Sequence, residues 1–188
     1  GADQIEVCSD LRFDGLTPNF ELIEKIRDDI SVPIKVMIRP RGGGFCYSLS
    51  DLKEIQNQIQ VFKSIGIKHI VCGILKKNNR VNIDSFKKIS DISHPMKITF
   101  HKAIDKSIDF FNDIEALVRT NRLDSLLTSG RANSAAEGSE TIKKVVNIFG
   151  GNIKVIAAGK ITSTNLINIH EKIGGKYYHG RKILGNLN

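Results

Sequence analysis

The chain has 188 residues, 40% of them hydrophobic and 26% charged, and its 28 Lys and Arg against 20 Asp and Glu leave a net charge of +8. This is globular composition over a length that can bury a core without disulfides or a structural metal, so a single domain over 1–188 is expected. No apolar run approaches the ~20 residues of a membrane helix, and no basic-then-apolar leader opens the sequence. Cys8, Cys46 and Cys72 form no paired-cysteine motif. A cytoplasmic protein with no membrane partner is expected. The basic residues are scattered singly or in pairs such as Lys76-Lys77 and Lys143-Lys144, with no basic tail or aromatic-interleaved stripe. That pattern reads as solvated helix faces and not as a nucleic-acid interface.

Taken in chain order, strands and helices alternate. Residues 4–7 read as a strand on which Glu6 and Cys8 share one face while Val7 takes the other. Phe20, Ile23, Ile26 and Ile30 then recur at helical spacing. A second strand over 34–38 runs into Met37-Ile38-Arg39-Pro40-Arg41-Gly42-Gly43-Gly44, with Met37 and Arg39 on one face. Asp51 stands where an N-cap belongs, ahead of the helical set Leu52, Ile55, Ile59 and Phe62. Strands follow over 69–72 and 97–100, the second ending in Thr99-Phe100-His101 with Asp105 close behind. Asp84, Asp109 and Ser163 are further expected N-caps. The strand over 125–127 leads into Thr128-Ser129-Gly130, and Ile142, Val145, Val146 and Phe149 mark another helix. Strands over 154–157 and 177–179 lead into Ala157-Ala158-Gly159-Lys160 and His179-Gly180-Arg181-Lys182.

Alternation without a hairpin signal means βαβ units and a parallel sheet. Seven strands in 188 residues give roughly 27 residues per unit, close to a TIM barrel's ~250 residues over eight units. The expectation is therefore a TIM (β/α)8 barrel of the α/β class lacking its first strand and helix, with a doubly wound open sheet as the alternative. No G-x-G-x-x-G follows the first strand, so a dinucleotide fold has no support.

Barrel chemistry sits at the C-terminal ends of the strands. Glu6, Cys8, Arg39, His101, Asp105 and Ser129 are expected to gather there. A carboxylate, a guanidinium and an imidazole in one cavity point to a site, because buried charges need partners. Glu6 or His101 would act as a general base, Asp105 would orient His101, and Arg39 would hold an anion. Arg41 beside Gly42 and Gly43 offers a second anion cradle, Ser129 a hydrogen bond, and Gly159 with Lys160 a phosphate site after the penultimate strand. Quieter readings stand beside these: His101 and Asp105 as a structural pair, Glu6 and Arg39 as a rim ion pair, and Cys8 as a small buried hydrophobe.

The chain resembles the CutC copper homeostasis family. The resemblance rests on Gly1-Ala2-Asp3-Gln4-Ile5-Glu6-Val7-Cys8, Gly15-Leu16-Thr17-Pro18, Met37-Ile38-Arg39-Pro40-Arg41-Gly42-Gly43, Phe45-Cys46-Tyr47-Ser48, Thr99-Phe100-His101-Lys102-Ala103 and Leu127-Thr128-Ser129-Gly130. It implies a TIM barrel shortened at both ends, including a C-terminal segment, and a dimer or larger homo-oligomer. It also implies copper handling, with Cys8 as a copper(I) ligand; imidazole is an acceptable partner, which brings in His101. The chain departs from the family pattern at Gly44, Lys102, Ile104 and Gly180. Two functions are expected to compete: copper(I) binding through Cys8 and His101, and an enzyme taking a small phosphate- or carboxylate-bearing substrate through Glu6, Arg39 and His101.

Overall fold

The computed structural model describes residues 1–185, and residues 186–188 of the expected domain lie outside the described residues. Seven strands pair in chain order, all in parallel: β1 (Ile5–Val7), β2 (Ile34–Met37), β3 (His69–Cys72), β4 (Lys97–Phe100), β5 (Ser125–Thr128), β6 (Lys154–Ala158) and β7 (Tyr177–His179). Each strand expected from the sequence is present within a residue or two. Six helices connect or follow them: α1 (Phe20–Asp29), α2 (Leu49–Ser64), α3 (Ile83–Ser93), α4 (Phe110–Arg119), α5 (Ser139–Phe149) and α6 (Leu166–Ile173). Side chains from β1, β2, β5, β6 and β7 line one cavity, so the sheet curls as part of a barrel. β1 and β7 are its two edges, and among the described residues no strand joins them.

Three of the expected N-caps move. Asp51 is the third residue of α2, and the cap is Ser48, whose hydroxyl accepts from the Asp51 N–H while the Asp51 carboxylate accepts from the Ser48 N–H. That reciprocal pair is a capping box, in which the acidic member sits three residues inside the helix. Asn82 caps α3 and leaves Asp84 in the first turn, and α6 starts after Asn165, beyond Ser163. Asp109 does occupy the N-cap of α4.

The alternation along the strands sorts two environments. Val36, Ile38, Ile70, Cys72, Ile98, Phe100, Leu126 and Val155 face the helices and form the main core. Phe100 meets Phe86 of α3 edge to face at 5.9 Å between ring centroids. The inward face is more polar. The buried Thr99 hydroxyl lies 2.8 Å from His69 Nε2, 2.7 Å from the Ser125 hydroxyl and 3.4 Å from Lys35 Nζ. Leu127, Ile156 and Ala158 form an apolar cluster on that side.

Burial, then the charge of Lys35, pushes the His69 pKa down to about 4 from 6.5. Lys97 and Lys154 act in the same direction, and Asp124 alone opposes them. The unfolded chain therefore binds a proton that the folded chain refuses between those two values. Stability should fall as pH drops through that window, with a slope approaching about 1.4 kcal/mol per pH unit from this residue. Urea unfolding at several pH values should show a smaller loss on acidification for His69→Gln than for the parent, whatever the variant's own stability at neutral pH.

Candidate functional site

A cavity of about 600 Å³ opens at the C-terminal ends of the strands. Glu6 from β1, Met37 from β2, Leu127 from β5, Ala158 from β6 and His179 from β7 face it. Arg39 and His101 enter it from the residues just after β2 and β4. Of the residues expected from sequence, Glu6, Arg39, His101, Gly159 and Lys160 line this space. Cys8, Arg41, Gly42, Gly43, Asp105 and Ser129 are not among the lining residues.

Arg39 is 6% exposed. Its guanidinium donates to the carbonyls of Phe13, Gly15 (3.3 Å) and Gly43 (2.9 Å), and its carbon lies 4.9 Å from the centre of the Phe45 ring. No ion pair forms between Arg39 and Glu6 among the described residues, so the rim pair drawn from sequence is replaced by a carbonyl clasp. One nitrogen, Arg39 Nε, is buried without a partner.

His101 is 5% exposed and caps the short 3₁₀ turn Lys102–Lys106. Its Nδ1 accepts from the Ala103 N–H at 3.1 Å, and its Nε2 is buried without a partner. Burial, then the nearby Arg39 charge, pushes the His101 pKa down to about 3, so the ring is neutral at physiological pH. The Phe45 ring stands 5.0 Å from the imidazole, centre to centre, and thus contacts both polar residues. Phe45 is a site residue that the sequence reading missed.

The expected orientation of His101 by Asp105 is not formed. The Asp105 carboxylate accepts from the Thr128 hydroxyl, from the Ser129 N–H (2.9 Å) and hydroxyl (3.0 Å), and from the Arg131 N–H (3.0 Å). It organises the turn after β5, and Ser129 belongs to that turn. Proximity in sequence made Asp105 look like the partner of His101, but a 3₁₀ turn carries it to the next strand instead.

The expected Arg41 cradle is likewise a loop staple. Arg41 Nε donates to Asp51 at 3.0 Å, and its terminal nitrogens donate to the carbonyls of Gly42 (3.1 Å), Gly44 (3.2 Å) and Cys46 (2.9 Å). Its charge also sits over the Tyr47 ring at 5.2 Å. Gly42 is small because a Cβ there would stand 2.5 Å from a carbon of the Phe13 ring. The Gly43 carbonyl is turned to Arg39.

Cations dominate the mouth. Lys102, Lys160, Arg181 and Lys182 join Arg39 there, against the carboxylates of Glu6 and Asp14. Asp14 lies 4.0 Å from Arg181, on the opposite sheet edge. Cys8 is half-buried, its thiol pKa raised by burial and then by Glu6. Cys46 is exposed, while Cys72 is buried with its thiol pushed up to about 12. Among the described residues, no group of three or more His, Cys, Asp or Glu is arranged to hold a metal.

Residues 1–184 match the CutC family. The chain belongs to the CutC family. It is 35% identical over 179 residues to a human protein named copper homeostasis protein cutC homolog, covering 95% of this chain and 65% of that one. It is 33% identical over 181 residues to the family protein CutC of Aliivibrio fischeri, covering 95% of this chain and 73% of that one. The solved structure of CutC from Streptococcus agalactiae superposes with a TM-score of 0.91 at 27% identity, covering 96% of this chain and 89% of that one. This CutC-family chain thus spans just under two thirds of the human relative's length. The agreement in fold supports the barrel reading over the doubly wound alternative.

Two substitutions test this construction. A Cβ at Gly73 would lie 2.4 Å from both Cε1 and Nδ1 of His101, so Gly73→Ala must displace the imidazole. Overpacking of that kind costs about 1–3 kcal/mol, to be read from a urea midpoint. Asp105→Ala leaves the Ser129 and Arg131 N–H groups without their acceptor and should remove about 3 kcal/mol or more. An Asp105 that merely tuned His101 would leave the unfolding midpoint close to the parent's.

Proposed function

We propose that the cavity of this CutC-family chain receives a small anionic ligand, and that handling this ligand is its role in copper homeostasis. The observation that carries the reading is the cationic mouth: Lys102, Lys160, Arg181 and Lys182 from three separate loops face one space whose acidic members are Glu6 and Asp14. Cations focused on a concave, low-dielectric wall raise the local concentration of anions. Loops after the last strands are also where barrels hold phosphate. If the anion is turned over, Glu6 is the cavity-facing carboxylate available for proton transfer, and Arg39 and His101 are the groups that face its charge. Three free thiols fit a reducing, cytoplasmic setting.

The test is calorimetric titration with inorganic phosphate and with citrate. Binding should weaken about tenfold in Lys160→Ala/Lys182→Ala, and should weaken further as ionic strength rises to about 0.5 M, since the rim charges are solvent-facing. Equal affinities for parent and double variant would overturn the reading.

Copper(I) as cargo is a second reading, favoured by the names of the relatives and by one local feature. Cys8 Sγ and the Met37 methyl both pack against Gly15, 3.1 and 3.7 Å from where its Cβ would stand. A thiol that would lose its proton to the metal and a thioether side chain that approaches the same glycine suit a soft ion. His101 suits it less, because its Nδ1 already accepts a backbone hydrogen bond. An anaerobic copper(I) titration against a competing chelator should lose about tenfold in Cys8→Ser and stay unchanged in Lys160→Ala/Lys182→Ala if this reading holds. Copper binding indifferent to Cys8 would remove it.

A further inference from the structure

We infer that the cavity takes a phosphorylated polyhydroxy compound, with its phosphate at the cationic mouth and two hydroxyls donating to Glu6 inside. The inference deepens the anion reading above and rests on it. Glu6 stands on the inward face of β1, since the next residue, Val7, belongs to the main core on the other side of the sheet. It lines the cavity and is half-buried. Among the described residues its carboxylate accepts no hydrogen bond and forms no ion pair, and neither oxygen is shut off from solvent. The other carboxylates near the mouth are already answered. Asp105 takes the donors of the turn after β5, and Asp14 is almost fully exposed and faces Arg181.

Two cations share the surroundings of Glu6 without pairing with it. Lys35 is its register partner on β2, near enough for the two charges to act on each other. Its Nζ is directed instead to the Thr99 hydroxyl at 3.4 Å. Arg39, which lines the same cavity, gives its terminal nitrogens to the carbonyls of Phe13, Gly15 and Gly43. Both are engaged elsewhere, so the Glu6 oxygens stay free. The same cations decide what those oxygens can take. An ammonium group beside Glu6 would also meet Lys35 and Arg39, after entering past Lys102, Lys160 and Lys182. A neutral hydroxyl meets no such opposition. A carboxylate only accepts, and its two oxygens fit two adjacent O–H donors, in the stronger, charge-assisted class of hydrogen bond.

The rest of the cavity fits the body of such a guest. Its volume of about 600 Å³ is that of a small-molecule site and far exceeds what inorganic phosphate fills. Met37, Leu127 and Ala158 give it an apolar wall against which a carbon chain packs. Lys160 and Lys182 follow β6 and β7, where barrels hold phosphate. Glu6 lies within β1, while these two lysines lie in loops beyond the strand ends. A guest that reaches from the mouth to Glu6 therefore needs carbon and hydroxyls as well as an anion.

The probes are inorganic phosphate, propyl phosphate, glycerol 3-phosphate and phosphoethanolamine, titrated calorimetrically into the whole chain. Glycerol 3-phosphate should bind about tenfold tighter than propyl phosphate, which has the same three carbons and no free hydroxyl, and tighter than phosphoethanolamine. In Glu6→Gln that advantage should shrink to less than about threefold, while propyl phosphate binds as well as before or better, a negative charge having been removed. No protein group depends on the Glu6 carboxylate, so the variant's urea midpoint should stay close to the parent's, and the ratio of the two probes in the parent needs no variant. Equal affinities for glycerol 3-phosphate and propyl phosphate overturn the inference. So does an advantage that survives in Glu6→Gln, or phosphoethanolamine binding as tightly as glycerol 3-phosphate, which would make Glu6 a cation site. Each of these leaves the cationic mouth standing where phosphate binding still falls in Lys160→Ala/Lys182→Ala. Absence of binding by all four overturns the inference and the mouth together.

Discussion

Arg39 is the group on which the site depends. Its side chain draws three backbone carbonyls from the loops after β1 and β2, while its own N–H donates to the Thr17 hydroxyl at 2.8 Å. A guanidinium in a poorly solvated place needs such acceptors, and carbonyl dipoles supply them without neutralising the charge. The cation that holds the loops together therefore remains a cation facing the cavity. Its field in turn helps keep His101 neutral, after burial itself. Loop architecture, net charge and imidazole protonation follow from one side chain.

Asp105 is its counterpart of opposite sign. Where Arg39 collects carbonyls, Asp105 collects N–H and O–H groups from the turn after β5. Each is a charged residue used to satisfy backbone that would otherwise be stranded at a strand end. The same logic governs Arg41, which closes its own glycine-rich loop and ties it to the capping box of α2 through Asp51. Three residues with the look of catalytic groups in the sequence thus divide into one that faces the cavity and two that build its walls.

That division sets how far the sequence could be read. Strand alternation and β-branched runs locate all seven strands and place Glu6, Arg39 and His101 on the inward side, because period two leaves little freedom at a strand end. Partners are another matter. Whether Asp105 reaches His101 or the turn after β5 is decided by the 3₁₀ turn Lys102–Lys106, whose tight pitch has no signal as strong as an amphipathic helix. The glycine-rich stretch 41–44 reads equally as an anion cradle or as a loop closed by its own arginine. Phe45 and Gly73 escape notice because their roles are contacts across the fold, an aromatic face against two polar groups and a missing Cβ beneath an imidazole. N-caps slip for a local reason: in Ser48-x-x-Asp51 either end can look like the cap, and only the geometry separates them.

The neutral state of the interior gives the site its character. Below the cavity, the Thr99 hydroxyl mediates between His69, Ser125 and Lys35, so polar groups reach deep into the inward face, with the carboxylates of Glu6 and Asp124 acting on Lys35. His69 and His101 both sit where protonation is opposed first by burial and then by a neighbouring cation. A soft cation would have to enter past Lys102, Lys160 and Lys182 and then displace a backbone hydrogen bond to use His101. An anion meets favourable charge at the mouth. The physical asymmetry between those two guests, and not any single residue, separates the two readings of a CutC-family barrel.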